Sequence, residues 1–257
     1  VSLSGTFVWH ELMTTDLSGA RAFYPEVVGW EVSDSGMPEM TYLIGAAGSA
    51  RVAGMMELPA HMRAGGASPA WVGYVAVDDV DATAKQAEAL GGSIHREPTN
   101  IPGVGRFSVI ADPHGAVIVP FKGIGVPPPQ PTPGSPGLVS WNELMAGEGT
   151  AAFAFYASLF GWTKAEAIDM GPMGVYQIFA TADGAGLGGM MTKPADMPAP
   201  PHWRYYVQVD GIQAAMKRVG AAGGTVANGP HQVPGGSWIV QVIDPQGAFV
   251  GLVSATE

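Results

Sequence analysis

The feature that most constrains this chain is an internal repeat. Trp9-His10-Glu11-Leu12-Met13 returns as Trp141-Asn142-Glu143-Leu144-Met145, an offset of 141 − 9 = 132 residues. The same offset aligns Phe23-Tyr24 with Phe155-Tyr156, Gly29-Trp30 with Gly161-Trp162, and Trp71 and Tyr74 with Trp203 and Tyr206. It also aligns Gly91-Gly92 with Gly223-Gly224, Pro102-Gly103 with Pro234-Gly235, and Asp112-Pro113 with Asp244-Pro245. Six of the seven tryptophans fall into three pairs, and register kept by so rare a residue type marks a duplication. Whatever fold the chain adopts must therefore be buildable twice. The expected division is a domain over residues 1–122, a linker over 123–137 and a second domain over 138–257. The linker reads GIGVPPPQPTPGSPG, whose prolines favour an extended, semi-rigid spacer.

Composition narrows the class of protein and of partner. Charged residues make up 13% of the chain, against roughly 25% in an average soluble domain, while Gly (37) and Pro (22) are plentiful. That profile suits many short strands and tight turns. Twelve basic residues face 22 acidic ones, a net charge of −10 that repels phosphate backbones and anionic lipid headgroups. Nucleic acid and membrane surfaces are therefore not expected partners. The absence of Cys excludes a disulfide framework, a thiolate nucleophile and a Cys-ligated metal. Val1 to Met13 shows no leader pattern, and no apolar run approaches the roughly 18 residues of a membrane span, so a cytoplasmic protein is expected.

Within the first copy, Phe7 to Met13 alternates and is β-prone, Asp16 can cap a helix running to about Val28, and Gly29 ends it. Strands follow at about Trp30 to Ser35, Met40 to Ile44 and Arg51 to Glu57. The pattern then restarts with a strand from Trp71 to Val77, a helix from Val80 to Leu90, and strands near Ser93 to Glu97, Arg106 to Ala111 and Ala116 to Phe121. Each copy thus reads as two βαβββ modules. Pro25 removes a donor inside the first helix and predicts a kink there, whereas the second copy has Ala157.

These paired modules, with Asp16-Leu17-Ser18-Gly19-Ala20-Arg21-Ala22-Phe23-Tyr24 near the first helix and Asp112-Pro113-His114-Gly115 and Asp244-Pro245-Gln246-Gly247 before the last strands, resemble the glyoxalase/bleomycin resistance protein/dioxygenase superfamily, also called vicinal oxygen chelate. The resemblance covers the whole chain except the linker. It implies an α+β fold: a tandem pair of glyoxalase-like domains, each with two βαβββ modules forming a curved mixed sheet around a cleft. The superfamily hosts glyoxalases, ring-cleaving dioxygenases, epimerases, antibiotic-modifying enzymes and metal-free drug-binding proteins, so fold alone does not set the chemistry.

Metalloenzymes of this superfamily hold a divalent ion with side chains from the opening strand of each module and a Glu on the final strand. Counted from the motifs, those positions are Trp9, Trp71 and Val119, and in the second copy Trp141, Trp203 and Gly251. None offers a ligand to a hard or borderline divalent cation. A slip of one residue would bring in His10 but turn Trp9 and Glu11 outward. The other histidines, His61, His95, His114, His202 and His231, have no i, i+4 or H-x-H spacing and read as solvated or hydrogen-bonded imidazoles. No cofactor is expected, and Zn, Ni, Mn or Fe is disfavoured. Without a metal, charge developing on a substrate oxygen needs preorganised donors, and no such set stands out in the sequence.

If Trp9 faces inward, strand alternation brings Glu11 and Met13 with it, and likewise Glu143 and Met145 with Trp141. Trp71, Gly73 and Val75 would lie opposite in the first copy, and Trp203, Tyr205 and Val207 in the second. Tyr42, Met55 and Met56, with their counterparts Tyr176, Met190 and Met191, would add an adaptable apolar surface or fill the core. The aromatics would stack on a planar ligand or fill volume. Glu11 and Glu143 would anchor a ligand, act as general bases, or accept a bond from a Tyr and hold the sheet closed. Arg106 is a further ligand-facing candidate whose counterpart is Trp238, and the glycine-rich stretch 184–189 lacks the context of a phosphate loop. The expected function is metal-independent binding of a small hydrophobic or aromatic molecule. The alternative is a glyoxalase-like lyase, isomerase, hydroxylase or dioxygenase acting on a small carbonyl or aromatic compound. Monomer and homodimer are both compatible, and duplication can supply within one chain a pairing that single-domain relatives obtain by dimerising.

Overall fold

A computed structural model describes residues 3–38, 40–125 and 132–257; the expectation for the linker at 126–131 lies outside the described residues. The first copy runs β1 (Phe7–Thr14), α1 (Leu17–Val28), β2 (Glu31–Asp34), β3 (Tyr42–Ala47), β4 (Ala50–Glu57), α2 (Ala60–Ala64), β5 (Ala70–Ala76), α3 (Val80–Ala89), β6 (Ser93–Ile101), β7 (Gly105–Ala111) and β8 (Val117–Gly123). The second runs β9 (Val139–Ala146), α4 (Gly149–Phe160), β10 (Thr163–Asp169), β11 (Val175–Ala180), β12 (Gly186–Thr192), β13 (His202–Gln208), α5 (Ile212–Ala221), β14 (Thr225–Gln232), β15 (Trp238–Ile243) and β16 (Phe249–Ser254). The short α2, which buries none of its residues, and a 3-10 turn at Gly171–Met173 are helical segments that the sequence pattern does not predict.

Local chemistry sets the helix ends. The Asp16 carboxylate accepts the Ser18 and Gly19 amides, both at 3.0 Å, and Gly29 closes α1 in the left-handed region at φ 76°. In the second copy Glu148 takes the Asp16 role for Thr150 and Ala151, and Gly161 closes α4 at φ 70°. Helix α1 continues through Pro25, whose carbonyl accepts the Gly29 amide.

Each copy builds an eight-stranded sheet, in the orders β2-β3-β4-β1-β5-β8-β7-β6 and β10-β11-β12-β9-β13-β16-β15-β14. The β1–β4, β5–β8, β9–β12 and β13–β16 pairs are parallel, and the hairpins between them are antiparallel, so both sheets are mixed. No helix among the described residues is long and apolar enough to cross a membrane.

The two compact units do not coincide with the two copies. Among the described residues, one comprises 3–8, 72–125 and 141–203 and the other 9–38, 40–71, 132–140 and 204–257, so each joins the first module of one copy to the second module of the other. The two sequence motifs meet inside these units. The Tyr24 hydroxyl donates to Asp244 Oδ2 at 2.9 Å in one, and Tyr156 to Asp112 Oδ2 at 3.1 Å in the other. The second oxygen of each Asp holds its own turn, accepting the Gln246 and Ala248 amides or the His114 and Ala116 amides. Each phenol also accepts an indole N–H, from Trp71 at 3.0 Å or Trp203 at 3.3 Å. In the repeated Gly-Gly pairs the first glycine has positive φ, 87° at Gly91 and 83° at Gly223, and the second is hemmed in by a backbone carbonyl, of Ala111 or Ile243, and a phenylalanine ring. A Cβ at Gly224 would lie 2.7 Å from the Phe23 ring, and one at Gly92 would lie 3.0 Å from the Phe155 ring. Finally, Trp30 donates to the Gly137 carbonyl at 2.7 Å, and Trp162 to the Gly5 carbonyl at 2.6 Å.

These buried bonds make two predictions. Tyr24→Phe and Tyr156→Phe each leave a buried carboxylate and an indole without their partner, and each should lower unfolding free energy by roughly 1–3 kcal/mol in urea titration. Burial holds the Asp244 carboxyl above its ordinary value of 3.8 despite the Ala248, Tyr24 and Gln246 donors. A raised carboxyl favours the fold while protonated, so its contribution is full below the unfolded value and is lost as pH rises through the folded one. The stability advantage of the wild type over Asp244→Asn should accordingly shrink as pH is raised across the acid range.

Candidate functional site

In β1, alternation puts His10, Leu12 and Thr14, all buried, on one face and Trp9, Glu11 and Met13 on the other, where Glu11 is buried as well. Register places Gly54 of β4 beside Glu11 and Tyr42 of β3 opposite Met56. Because Gly54 has no side chain, the Tyr42 phenol crosses it; a Cβ there would collide with the Tyr42 hydroxyl. Tyr42 then donates to Glu11 Oε2 at 2.9 Å and accepts the Trp9 indole N–H at 2.9 Å. Burial, reinforced by the Glu11 charge, raises the Tyr42 phenol above its ordinary value, so it keeps its proton.

The second copy repeats the arrangement. Gly189 of β12 lies beside Glu143, the Tyr176 ring crosses it, and the Tyr176 hydroxyl donates to Glu143 Oε1 at 3.1 Å while accepting the Trp141 indole at 2.8 Å. The structure thus brings Trp9, Glu11 and Tyr42 together, and Trp141, Glu143 and Tyr176. Met13 and Met145 follow on the same strand faces, the first half-buried and the second buried.

The other residues singled out in the sequence lie apart from these trios. Trp71 and Trp203 turn toward α1 and α4, where they bond Tyr24 and Tyr156 and pack edge-on against Trp30 and Trp162. Tyr205 shares the strand face of Trp203 and packs edge-on against His10, with ring centroids 4.9 Å apart. Met55 is fully buried near Trp30. Met190 is fully buried too and lines a cavity of about 310 Å³ with Thr150 and Phe153 of α4. Alternation along β5 and β13 is as expected, but its phase is reversed. The indoles find a hydroxyl acceptor on the helix side, which puts Val72 and Tyr74, and Arg204 and Tyr206, on the faces away from the helices. Arg106 is engaged by Asp81, with Nε and Nη2 contacts at 2.6 and 2.7 Å.

The family model for the Glyoxalase/Bleomycin resistance protein/Dioxygenase superfamily matches residues 6–119 and 139–252. The chain belongs to this superfamily. CFP32 of Mycobacterium tuberculosis, whose glyoxylase label is provisional, is 32% identical over 255 residues, covering 97% of this chain and 94% of its own. The anthracycline biosynthesis protein DnrV of Streptomyces peucetius is 30% identical over 264 residues, covering 98% and 94%. Among solved structures, the Mn(II)-bound glyoxalase from Novosphingobium aromaticivorans superposes with a TM-score of 0.67 at 17% identity, covering all of this chain and 84% of that one.

Metal use occurs in the superfamily, as in that Mn(II)-bound glyoxalase. Trp9 and Trp141 give their indole N–H to a phenol, Trp71 and Trp203 sit in the helix-side core, and Val119 is apolar. At Gly251 the Tyr206 ring occupies the space that a Cβ would take. Among the described residues, no three His, Asp or Glu side chains group closely enough to hold a metal ion. The donor set does not fit the superfamily's metal site. Protein purified without a histidine tag and dialysed against trace zinc, nickel, manganese and iron should carry well under one ion per chain by plasma mass spectrometry; near-stoichiometric metal would show that other donors assemble.

Proposed function

We propose that this chain is a glyoxalase-like enzyme acting on a small carbonyl or planar aromatic compound, with Glu11 and Glu143 as proton acceptors. The observation that carries this reading is the Trp–Tyr–Glu trio, formed by equivalent residues in both copies. A phenol fixed between an indole donor and a carboxylate holds that carboxylate in one orientation, as a general base requires. The Glu can take a proton from a carbon next to a carbonyl or from a hydroxyl, while the Trp ring beside it offers a flat apolar wall. Similarity to a protein of anthracycline biosynthesis supports a planar, oxygenated substrate.

A second reading is a metal-independent binding protein for small hydrophobic or aromatic molecules, favoured by the poor fit to a metal site. The two separate on turnover. With α-keto aldehyde–thiol adducts and catechols as trial substrates, the enzyme reading expects turnover that falls about 10²–10⁴-fold in kcat in the Glu11→Gln/Glu143→Gln double variant. Unchanged rates would remove both residues from the mechanism. Melting-temperature shifts with planar compounds and no turnover would leave the binding protein.

A further inference from the structure

The cavity of about 310 Å³ in the second copy lies on the helix side of its sheet, away from the Glu143 trio. Strand pairing joins Gln177 to Met190 and Lys164 to Phe179, which puts these side chains on one face, while Glu143 and Tyr176 occupy the other. Fully buried Met190 lines the cavity with Phe153 of α4 and with Val175 and Gln177 of β11. Gln177 gives its Nε2 protons to the Glu166 and Ile178 carbonyls, at 3.1 and 2.9 Å, which fixes its amide in the wall. The Lys164 ammonium, also on the lining, lies 5.1 Å from the centre of the Phe153 ring. Among the described residues it forms no ion pair, in a chain whose 22 acidic residues outnumber its 12 basic ones. Thr192 completes the polar lining: its Oγ1 accepts the Gly149 amide at 2.9 Å, so its own proton is left for another acceptor. The Thr150 and Ala151 amides are held by Glu148, so the donors facing a ligand are side chains and not the end of the helix.

Matched through the corresponding strand pairs, the first copy has Val32 for Lys164, Leu43 for Gln177 and Glu57 for Thr192. Arg21 stands there for Phe153. The first copy thus lacks the strand cation and places a carboxylate where the second has a hydroxyl.

We infer that the second copy binds a small aryl carboxylate in this cavity, with Lys164 and Thr192 receiving the carboxylate and Met190 and Val175 the ring, and that the first copy does not. An anion answers the unpaired ammonium, and a charge-assisted bond from it is stronger than a neutral one. Packing over the Phe153 face draws the ammonium back to the cavity wall before a ligand arrives, which lowers the cost of ordering a long side chain. The Met190 thioether makes favourable contacts with an aromatic ring, and a pocket of this volume suits a ligand of one ring. The site is separate from Glu11 and Glu143 and does not depend on their catalytic reading.

The test is calorimetry on the full chain with benzoate, and with benzamide as its neutral isostere. The wild type should bind one benzoate per chain and prefer it to benzamide by about tenfold or more, the scale of a hydrogen bond to a charged group. Lys164→Met, at an exposed position, should abolish that preference while leaving benzamide affinity unchanged, which also reports that the variant folds. Thr192→Val should reduce the preference. Val175 is 56% exposed, so Val175→Trp should narrow the mouth of the cavity and weaken both compounds. Glu143→Gln should change neither affinity, because that carboxylate lies on the opposite face of the sheet. Equal affinity for the two compounds, no saturable benzoate binding, two benzoates per chain, full preference in Lys164→Met, or altered benzoate affinity in Glu143→Gln would overturn the site. The wild-type selectivity and stoichiometry decide the matter even where a variant does not fold. Turnover in the Glu variants bears on the catalytic reading alone.

Discussion

The bond from Tyr24 to Asp244, with its twin from Tyr156 to Asp112, ties the helix of one copy to the last turn of the other, and much of the architecture depends on it. Each phenol serves as donor and acceptor at once, satisfying a buried carboxylate and a buried indole, while the carboxylate's other oxygen caps the turn before the final strand. A buried Asp in such a place is costly unless all its bonds are made. One hydroxyl therefore makes the opening helix of one copy and the closing hairpin of the other interdependent. The bond lies within a compact unit that combines modules of both copies, and the duplication supplies both partners in one chain.

The same bond sets which strand face remains for a ligand. Once the Trp71 and Trp203 indoles turn to the phenols under the helices, alternation sends the residues beside them to the opposite face. In β1 and β9 the relation is reversed, and Trp9 and Trp141 share the outer face with the glutamates. Glycines at 54 and 189 complete the arrangement, because only an absent side chain lets a tyrosine lie across the neighbouring strand to reach its carboxylate.

The copies have diverged around this common plan. Both keep the Trp–Tyr–Glu trio, but the second modules differ in polarity: valines dominate in the first copy where the second places Arg204, Gln241 and Phe249. At Gly251 the Tyr206 ring, bonded to Gln241, takes the space of a side chain.

Much of this was legible in the sequence. The offset of 132 residues, the helix caps at Asp16 and Gly29, the strand spans and the two motifs determined the superfamily and the mixed-sheet class, because local capping, period-two alternation and repetition are written along the chain. The trio of Trp9, Glu11 and Tyr42 was partly legible, since alternation put the first two on one face. The phase of alternation in β5 and β13 was not: the sequence reading set Trp71 and Trp203 facing a cleft, and the structure turns their indoles to Tyr24 and Tyr156. Alternation defines two faces but not which of them a helix will cover. That was decided by hydrogen bonds such as Trp71 to Tyr24 and Tyr24 to Asp244, between residues 47 and 220 positions apart, which only the tertiary structure brings together.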